Sequence, residues 1–264
     1  MALKPTAPRL RPGHPLNRGL VSAWLFTEGA GSATYDAAAP RAGILQSAPT
    51  WVGGRSGRAL SFVNGSSQYI TTPLTWKIGV PITVTVWIKT AGGVAASGFG
   101  NASDTTNRIQ VHLPYLDNTI YWDYGDQGNG RISTSMASFL NVWTHITLVN
   151  DGGANGSAFK AIYINGILQT SGTANTAASF TSETIHIGDF GTNFYFNGMM
   201  DDMRFFNRVL PSAEINRVMR SDYSEFQPPR RMAAFSVPAA FSTYFPMSQP
   251  DHGGLLRKAE MVGY

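Results

Sequence analysis

The 264-residue chain contains no cysteine. That excludes a disulfide-stapled scaffold and a Cys-ligated zinc centre. Charge is scarce as well: Asp, Glu, Lys and Arg together make up 14%, against about 25% in an ordinary soluble domain. With 43% apolar residues beside it, so little charge excludes a disordered chain, and the lack of heptads excludes a coiled coil. No run of about 18 apolar residues occurs, so no segment reads as a membrane-spanning helix. Behind Met1 there is no apolar stretch of about 7–15 residues, and Pro5, Pro8, Pro12 and Pro15 interrupt the segment, so no signal peptide is expected. Glutamate is rare too, at positions 28, 183, 214, 225 and 260 alone.

What the chain does have is glycine, 28 residues of it, and 12% aromatics. Its net charge of +4 is unevenly placed. Residues 1–18 carry Lys4, Arg9, Arg11 and Arg18 and no acid, whereas residues 19–224 carry 12 bases against 13 acids. A neutral body argues against nucleic-acid binding by the domain itself. The Pro-rich basic stretch 1–18 reads as an extended arm.

Short alternating runs separated by turns then predict strands near 20–26, 58–63, 68–72, 82–90, 108–113, 118–124, 131–135, 142–150, 158–165, 184–188 and 197–206. The clearest places Ile82, Val84, Val86 and Ile88 on one face. Asn165-Gly166 between two apolar runs predicts a hairpin. One helix is predicted over about 212–220, with Ile215, Val218 and Met219 as its apolar stripe and Ser212 as its cap. Many short strands with frequent turns predict an all-β antiparallel sandwich or jelly roll carrying one short C-terminal helix. The expected organisation is an arm at 1–18, a sandwich at 19–222, and an apolar Pro/aromatic arm at 223–264.

Four segments resemble the laminin-G-like, concanavalin-A-like jelly-roll family. They are Gly19–Phe26 with the Glu28–Gly31 turn, Pro81–Lys89, Trp143-Thr144-His145 with Tyr163-Ile164-Asn165-Gly166, and Phe196–Arg204 with Leu210–Ile215. The flanks His14–Phe26 and Phe226–Arg231 resemble laminin-G-like proteins of tailed-phage virions. That resemblance implies a capsid decoration, head-fibre or tail protein, located in the virion and homo-oligomeric. It implies attachment to a major capsid protein or neighbouring subunits through the two arms. The attachment residues would be Lys4, Arg9, Arg11, Arg18, Arg230, Arg231, Phe235, Phe241, Tyr244 and Phe245. On this reading, deleting both arms leaves folding intact.

Catalysis finds little support. Glycoside hydrolysis needs two carboxylates about 5–9.5 Å apart across the scissile bond. The glucanase pattern E-x-D-x-E is missing, and Asp201 and Asp202 point to opposite faces of a regular strand. The P-loop, H-E-x-x-H and G-x-S-x-G are absent. The protein is therefore expected to be non-enzymatic. The family resemblance implies a structural calcium ion held by Asp201 or Asp202 with the Glu28–Gly31 turn, Asp36 lying near. The alternative is that Asp201 accepts main-chain N–H groups or pairs with an arginine. Sugar binding on a host surface is the alternative function. Its densest candidate cluster is Tyr121, Trp122, Asp123 and Tyr124, with His112 and Tyr115 beside it. The bland alternative turns Tyr121 and Tyr124 into the core. A second polar–aromatic group, Asp189 to Phe196, is read as a contact surface.

Overall fold

The computed structural model describes residues 3–77, 79–102, 108–125, 128, 130–153, 158–174, 182–191 and 194–227, all within the compact unit Met1–Pro229. In chain order the strands are β1 (Leu20–Trp24), β2 (Ala33–Tyr35), β3 (Ala42–Gln46), β4 (Thr50–Gly53), β5 (Arg58–Phe62), β6 (Tyr69–Lys77), β7 (Ile82–Lys89) and β8 (Ser97–Ala102). They continue as β9 (Arg108–His112), β10 (Thr119–Gly125), β11 (Arg131–Ser135), β12 (Thr144–Asn150), β13 (Ala158–Ile164), β14 (Ile167–Ala174), β15 (Ser182–Ile187) and β16 (Gly198–Phe206), followed by the helix α1 (Ser212–Arg220).

Two antiparallel sheets face each other. One runs β14-β13-β12-β7-β16-β5-β4, with β1 also paired to β16; the other runs β11-β10-β9-β8-β15-β6-β3-β2. This is the expected jelly-roll sandwich. Alternation builds its core. Ile82, Val84, Val86 and Ile88 of β7 meet Phe99, Ile109, Val111, Ile120 and Trp122 of the other sheet in one apolar cluster. The outward residues Thr83, Thr85 and Trp87 of β7 are buried too, so something must cover that face.

The cover is the chain's first segment together with residues 206–226. Leu16 packs with Phe206, Leu210, Ile215 and Val218. Ala23 and Leu25 pack with Tyr223 and Phe226, and Leu10 lies against them. The first segment also pairs with residues 225–227. Arg11 N donates to Glu225 O (2.8 Å) and Gln227 N to Arg9 O (2.7 Å). Residues 3–18 and 223–227 thus pack within the sandwich unit, where free arms were expected, and deleting the first 18 residues is now expected to destabilise the fold. Leu16, at 1% exposure, explains why: deleting the segment uncovers apolar surface over the sheet.

Three further features differ from expectation. Ser212 is the first helical residue, and Pro211 caps by its carbonyl, which accepts from Glu214 N and Ile215 N. Strands β2, β3, β4 and β8 were not anticipated; β8, Ser-Gly-Phe-Gly-Asn-Ala, has Phe99 as its one strong β-former. Its glycines answer to packing: a Cβ on Gly100 would lie 2.3 Å from Ile109 O. Finally, β16 is irregular. Asp201 pairs with Trp87 and Arg204 with Thr85, so Asp202 and Met203 together oppose Val86. Asp202 takes φ 56°, the mark of a β-bulge. Neither carboxylate belongs to the inter-sheet core, and the expectation of opposite faces fails.

Candidate functional site

The outward face of the second sheet, at its β9–β11 end, carries the densest polar–aromatic arrangement among the described residues. Register puts Tyr121 opposite His112, and Asp123 opposite both Gln110 and Arg131. Because side chains alternate along a strand, these residues point outward together while Ile120, Trp122 and Tyr124 point into the core. The loop after β15 folds back over this face. Ser97 N donates to Phe194 O (2.9 Å) and Phe196 N to Gly188 O (2.8 Å).

His112 stands at the centre of an aromatic ring. Its imidazole lies 4.8 Å from Tyr115, 6.4 Å from Tyr121, 5.5 Å from Phe190 and 5.4 Å from Phe194, all edge-to-face. Phe190 and Phe194 stack on each other at 5.1 Å. The Ala96 carbonyl, an acceptor only, sits 3.1 Å from Nδ1, so that nitrogen carries the proton. Nε2 then accepts from the Gln110 amide at 3.3 Å. Burial pushes the His112 pKa down to about 4, against the pull of that carbonyl and of Asp123, so the ring is neutral at physiological pH.

Beneath the ring, Asp123 is fully buried and gathers donors. Arg131 binds it bidentately (2.6 and 2.7 Å), Gln110 donates at 2.6 Å, and Arg108 stands at 3.4 Å. Arg131 in turn lies over the Tyr121 ring, 4.6 Å from its centroid. The Tyr121 hydroxyl donates to Asp117 at 2.7 Å. That bond holds the Asp117 carboxyl below its usual range and the Tyr121 phenol above its own. Leu116, Asp117, Arg108, Arg131 and the aromatic ring around His112 line a hollow of about 410 Å³, a size that suits a small ligand.

Of the residues expected to bind sugar, His112 and Tyr121 line this hollow, whereas Trp122, Asp123 and Tyr124 do not. Trp122 has no exposed surface; its indole N–H donates to Val149 O at 3.1 Å. Tyr124 is buried as well, its hydroxyl donating to Val80 O at 2.7 Å. Neither offers a platform. Nor do Tyr121 and Tyr124 share a face; three residues apart on a strand, they point opposite ways. Asp126, Gln127 and Asn129 lie outside the described residues. Sequence reading missed Arg108, Gln110, Asp117 and Arg131, whose roles depend on strand pairing. Phe190 and Phe194 were noticed only as a separate group.

The four carboxylates expected to hold calcium do not converge. Asp36 accepts from Ser22 Oγ, Ala23 N and Ala38 N, each at 2.8 Å, and pairs with Arg41 at 3.2 Å. Glu28 accepts from Tyr35 N at 2.8 Å and from Thr34. Asp202 holds Arg204 through both oxygens, at 2.9 and 3.1 Å. Asp201 accepts from Arg55 N (3.0 Å) and Ser56 N (3.3 Å) and pairs with Lys4. No group of three or more acidic, histidine or cysteine side chains able to hold a metal occurs among the described residues.

Of the expected attachment residues, Lys4 is buried while Arg9, Arg11 and Arg18 are exposed. Arg230, Arg231, Phe235, Phe241, Tyr244 and Phe245 lie outside the described residues.

A family model described as the concanavalin A-like lectin/glucanases superfamily matches residues 64–216. The chain belongs to this superfamily. The match runs from the β5–β6 turn into α1 and so contains every residue that lines the hollow. No curated protein sequence matches. Among solved structures, domain 4 of the GH43 extracellular arabinanase AbnA from Geobacillus stearothermophilus, in complex with arabinotriose, is similar over 76% of this chain and 98% of that one, with 18% identity and a TM-score of 0.56. The botulinum neurotoxin serotype D binding domain is similar over 78% of this chain with 18% identity and a TM-score of 0.59. The type G receptor binding domain has a TM-score of 0.58 at 16% identity. This superfamily member spans about half the length of those neurotoxin domains, covering 52% and 51% of them. At such identities the likeness is one of fold.

Proposed function

We propose that the chain is a non-enzymatic glycan-binding module whose sugar sits in the hollow beside His112. The observation that carries this reading is a largely apolar aromatic wall, Tyr115, Tyr121, Phe190 and Phe194, facing the same small hollow as Arg108, Arg131 and Asp117. A pyranose presents an apolar C–H face and a rim of hydroxyls, and this pairing suits both. The aromatic wall takes the C–H face, the guanidinium groups donate to ring hydroxyls, and Asp117 accepts from them. The superfamily and the arabinotriose-bound neighbour support sugar as the ligand class. The non-enzymatic part rests on the carboxylates: Asp123 lies buried beneath the hollow in a bidentate pair with Arg131, leaving exposed Asp117 without a partner carboxylate on the lining.

A glycan array followed by titration calorimetry tests the site. Phe194→Ala and Tyr121→Ala are each expected to weaken a bound glycan at least about tenfold, about 1.4 kcal/mol, with little change in melting temperature. Equal affinity in both variants, or the absence of any bound glycan, overturns the assignment. Release of new reducing ends from a polysaccharide overturns the non-enzymatic part.

A virion is the wider setting we propose, from the resemblance of the flanks to phage structural proteins. The exposed Arg9, Arg11 and Arg18 side chains on a backbone pinned to the domain favour it, because a preordered basic strip docks at reduced entropic cost. The triple charge reversal Arg9→Glu, Arg11→Glu, Arg18→Glu is expected to fold normally and to lose incorporation into particles. Normal incorporation removes this role from the strip.

A further inference from the structure

We infer that the cation seated at the closing strand of this sandwich is the Lys4 ammonium, supplied by the chain itself, and that the oxygens around it are an ammonium site and not the calcium site that the family resemblance implied.

The geometry is that of an ammonium ion. Nζ of Lys4 donates to Leu25 O (2.6 Å), to Arg58 O (2.5 Å) and to Asp201 Oδ1. A lysine has three N–H donors, and three oxygens from three separate segments meet them: the opening turn after β1, the start of β5, and β16. Calcium takes 6–8 oxygens. The other acidic side chains first considered for it, Glu28, Asp36 and Asp202, are committed elsewhere, as described above. The donor set thus fits three N–H groups and falls short of a calcium shell.

The surroundings are built for this contact. The lysine side chain is 3% exposed and the aspartate 1%. Asp201 Oδ2 is fixed by the main-chain N–H groups of Arg55 and Ser56, which leaves Oδ1 for Nζ. Gly54 permits that approach, since a Cβ there would lie 2.7 Å from Asp201 Oδ2. The nearby charges are Asp202, held by Arg204, and Arg55, whose guanidinium lies 3.6 Å from the Trp87 ring centroid. The lysine comes from the N-terminal segment, so completing the site and seating residues 3–18 over the sheet are one event. The first cluster of basic residues in the sequence is accordingly divided: Lys4 faces inward, and the three arginines face solvent.

Melting the full chain with chelator and with millimolar calcium tests this. The unaltered protein is expected to melt at the same temperature in both; a fall on chelation overturns the inference. Lys4→Ala is expected to melt roughly 10 °C lower in chelator, because Asp201 is left buried and unpaired. Millimolar calcium is expected to restore none of this loss, because the vacated oxygens fall short of a calcium shell. Recovery of several degrees in calcium makes this a metal site and overturns the inference, as does an unchanged melting point. If Lys4→Ala does not fold in chelator, refolding in calcium is the readout. No recovery supports the assignment, and recovery of the folded signal overturns it.

Discussion

Replacing Arg204 by methionine is expected to cost about 3–5 kcal/mol of unfolding free energy. Arg204 is 1% exposed in the middle of the covered sheet. It holds Asp202 through two hydrogen bonds and Glu225 through an ion pair at 2.6 Å whose N–H groups are not aimed along the contact. Burial alone disfavours its charge, yet Asp202 and Glu225 more than offset that and raise its pKa. Methionine fills similar volume without charge, and so strands two buried carboxylates. The damage does not stay local. Glu225 O accepts from Arg11 N, so loosening Glu225 loosens the pairing between the first segment and residues 225–227. Urea titration at pH 7 measures the loss; a change below about 1 kcal/mol counts against the account. Adding Asp202→Asn and Glu225→Gln to Arg204→Met is expected to recover most of it, because the cost lies in the unpaired charges.

Acid is expected to destabilise the fold between about pH 6.5 and 3, through two buried histidines. His145 lies on the covered face of β12, 1% exposed, its ring 5.1 Å from Trp87. Burial, reinforced by Arg204 and Arg55, pushes its pKa down to about 3. His112 is pushed down to about 4, again chiefly by burial. The unfolded chain titrates near 6.5 and so binds more protons throughout this window. Both contributions are complete above about pH 6.5 and are lost as the pH falls through 6.5 towards the folded values. At 1.36 kcal/mol per unit, His145 accounts for on the order of 5 kcal/mol and His112 for on the order of 3. Asp201 works the other way. Burial raises it to about 6 against the pull of Lys4, so its protonation favours the folded state below that pH and returns part of the loss. Guanidinium midpoints at pH 7, 5 and 4 measure the net slope. His145→Gln is expected to flatten it; an equal slope in that variant refutes the role of His145.

The strands that were legible in the sequence share one property: a face that alternates cleanly. Ile82–Ile88 and the Asn165-Gly166 hairpin read directly, as did the helical stripe of Ile215 and Val218. Strand β8 did not, because its glycines serve the close approach of β9 and carry no hydrophobic signal. The site divides in the same way. Tyr121, His112 and Tyr115 were recognisable as a polar–aromatic cluster, and His112 and Tyr115 are indeed neighbours. Trp122 was misread because composition shows an aromatic residue without showing which side of the sheet it takes. Arg131 and Gln110 meet Asp123 only through strand pairing, and Phe190 reaches His112 from nearly eighty positions along the chain.

The sequence alone determined the all-β sandwich, its closing strand and helix, the superfamily, and a basic first segment. Period-two alternation and turn chemistry are local properties, and local properties survive in a one-dimensional string. The tertiary structure alone decided that the first segment lies against its own domain, that Lys4 meets Asp201 across 197 positions, and that two distant aromatic groups form one hollow. Those outcomes depend on which outward faces remain apolar once the sheets have paired, and on which buried charges must then find partners. Neither is fixed until the whole chain is folded.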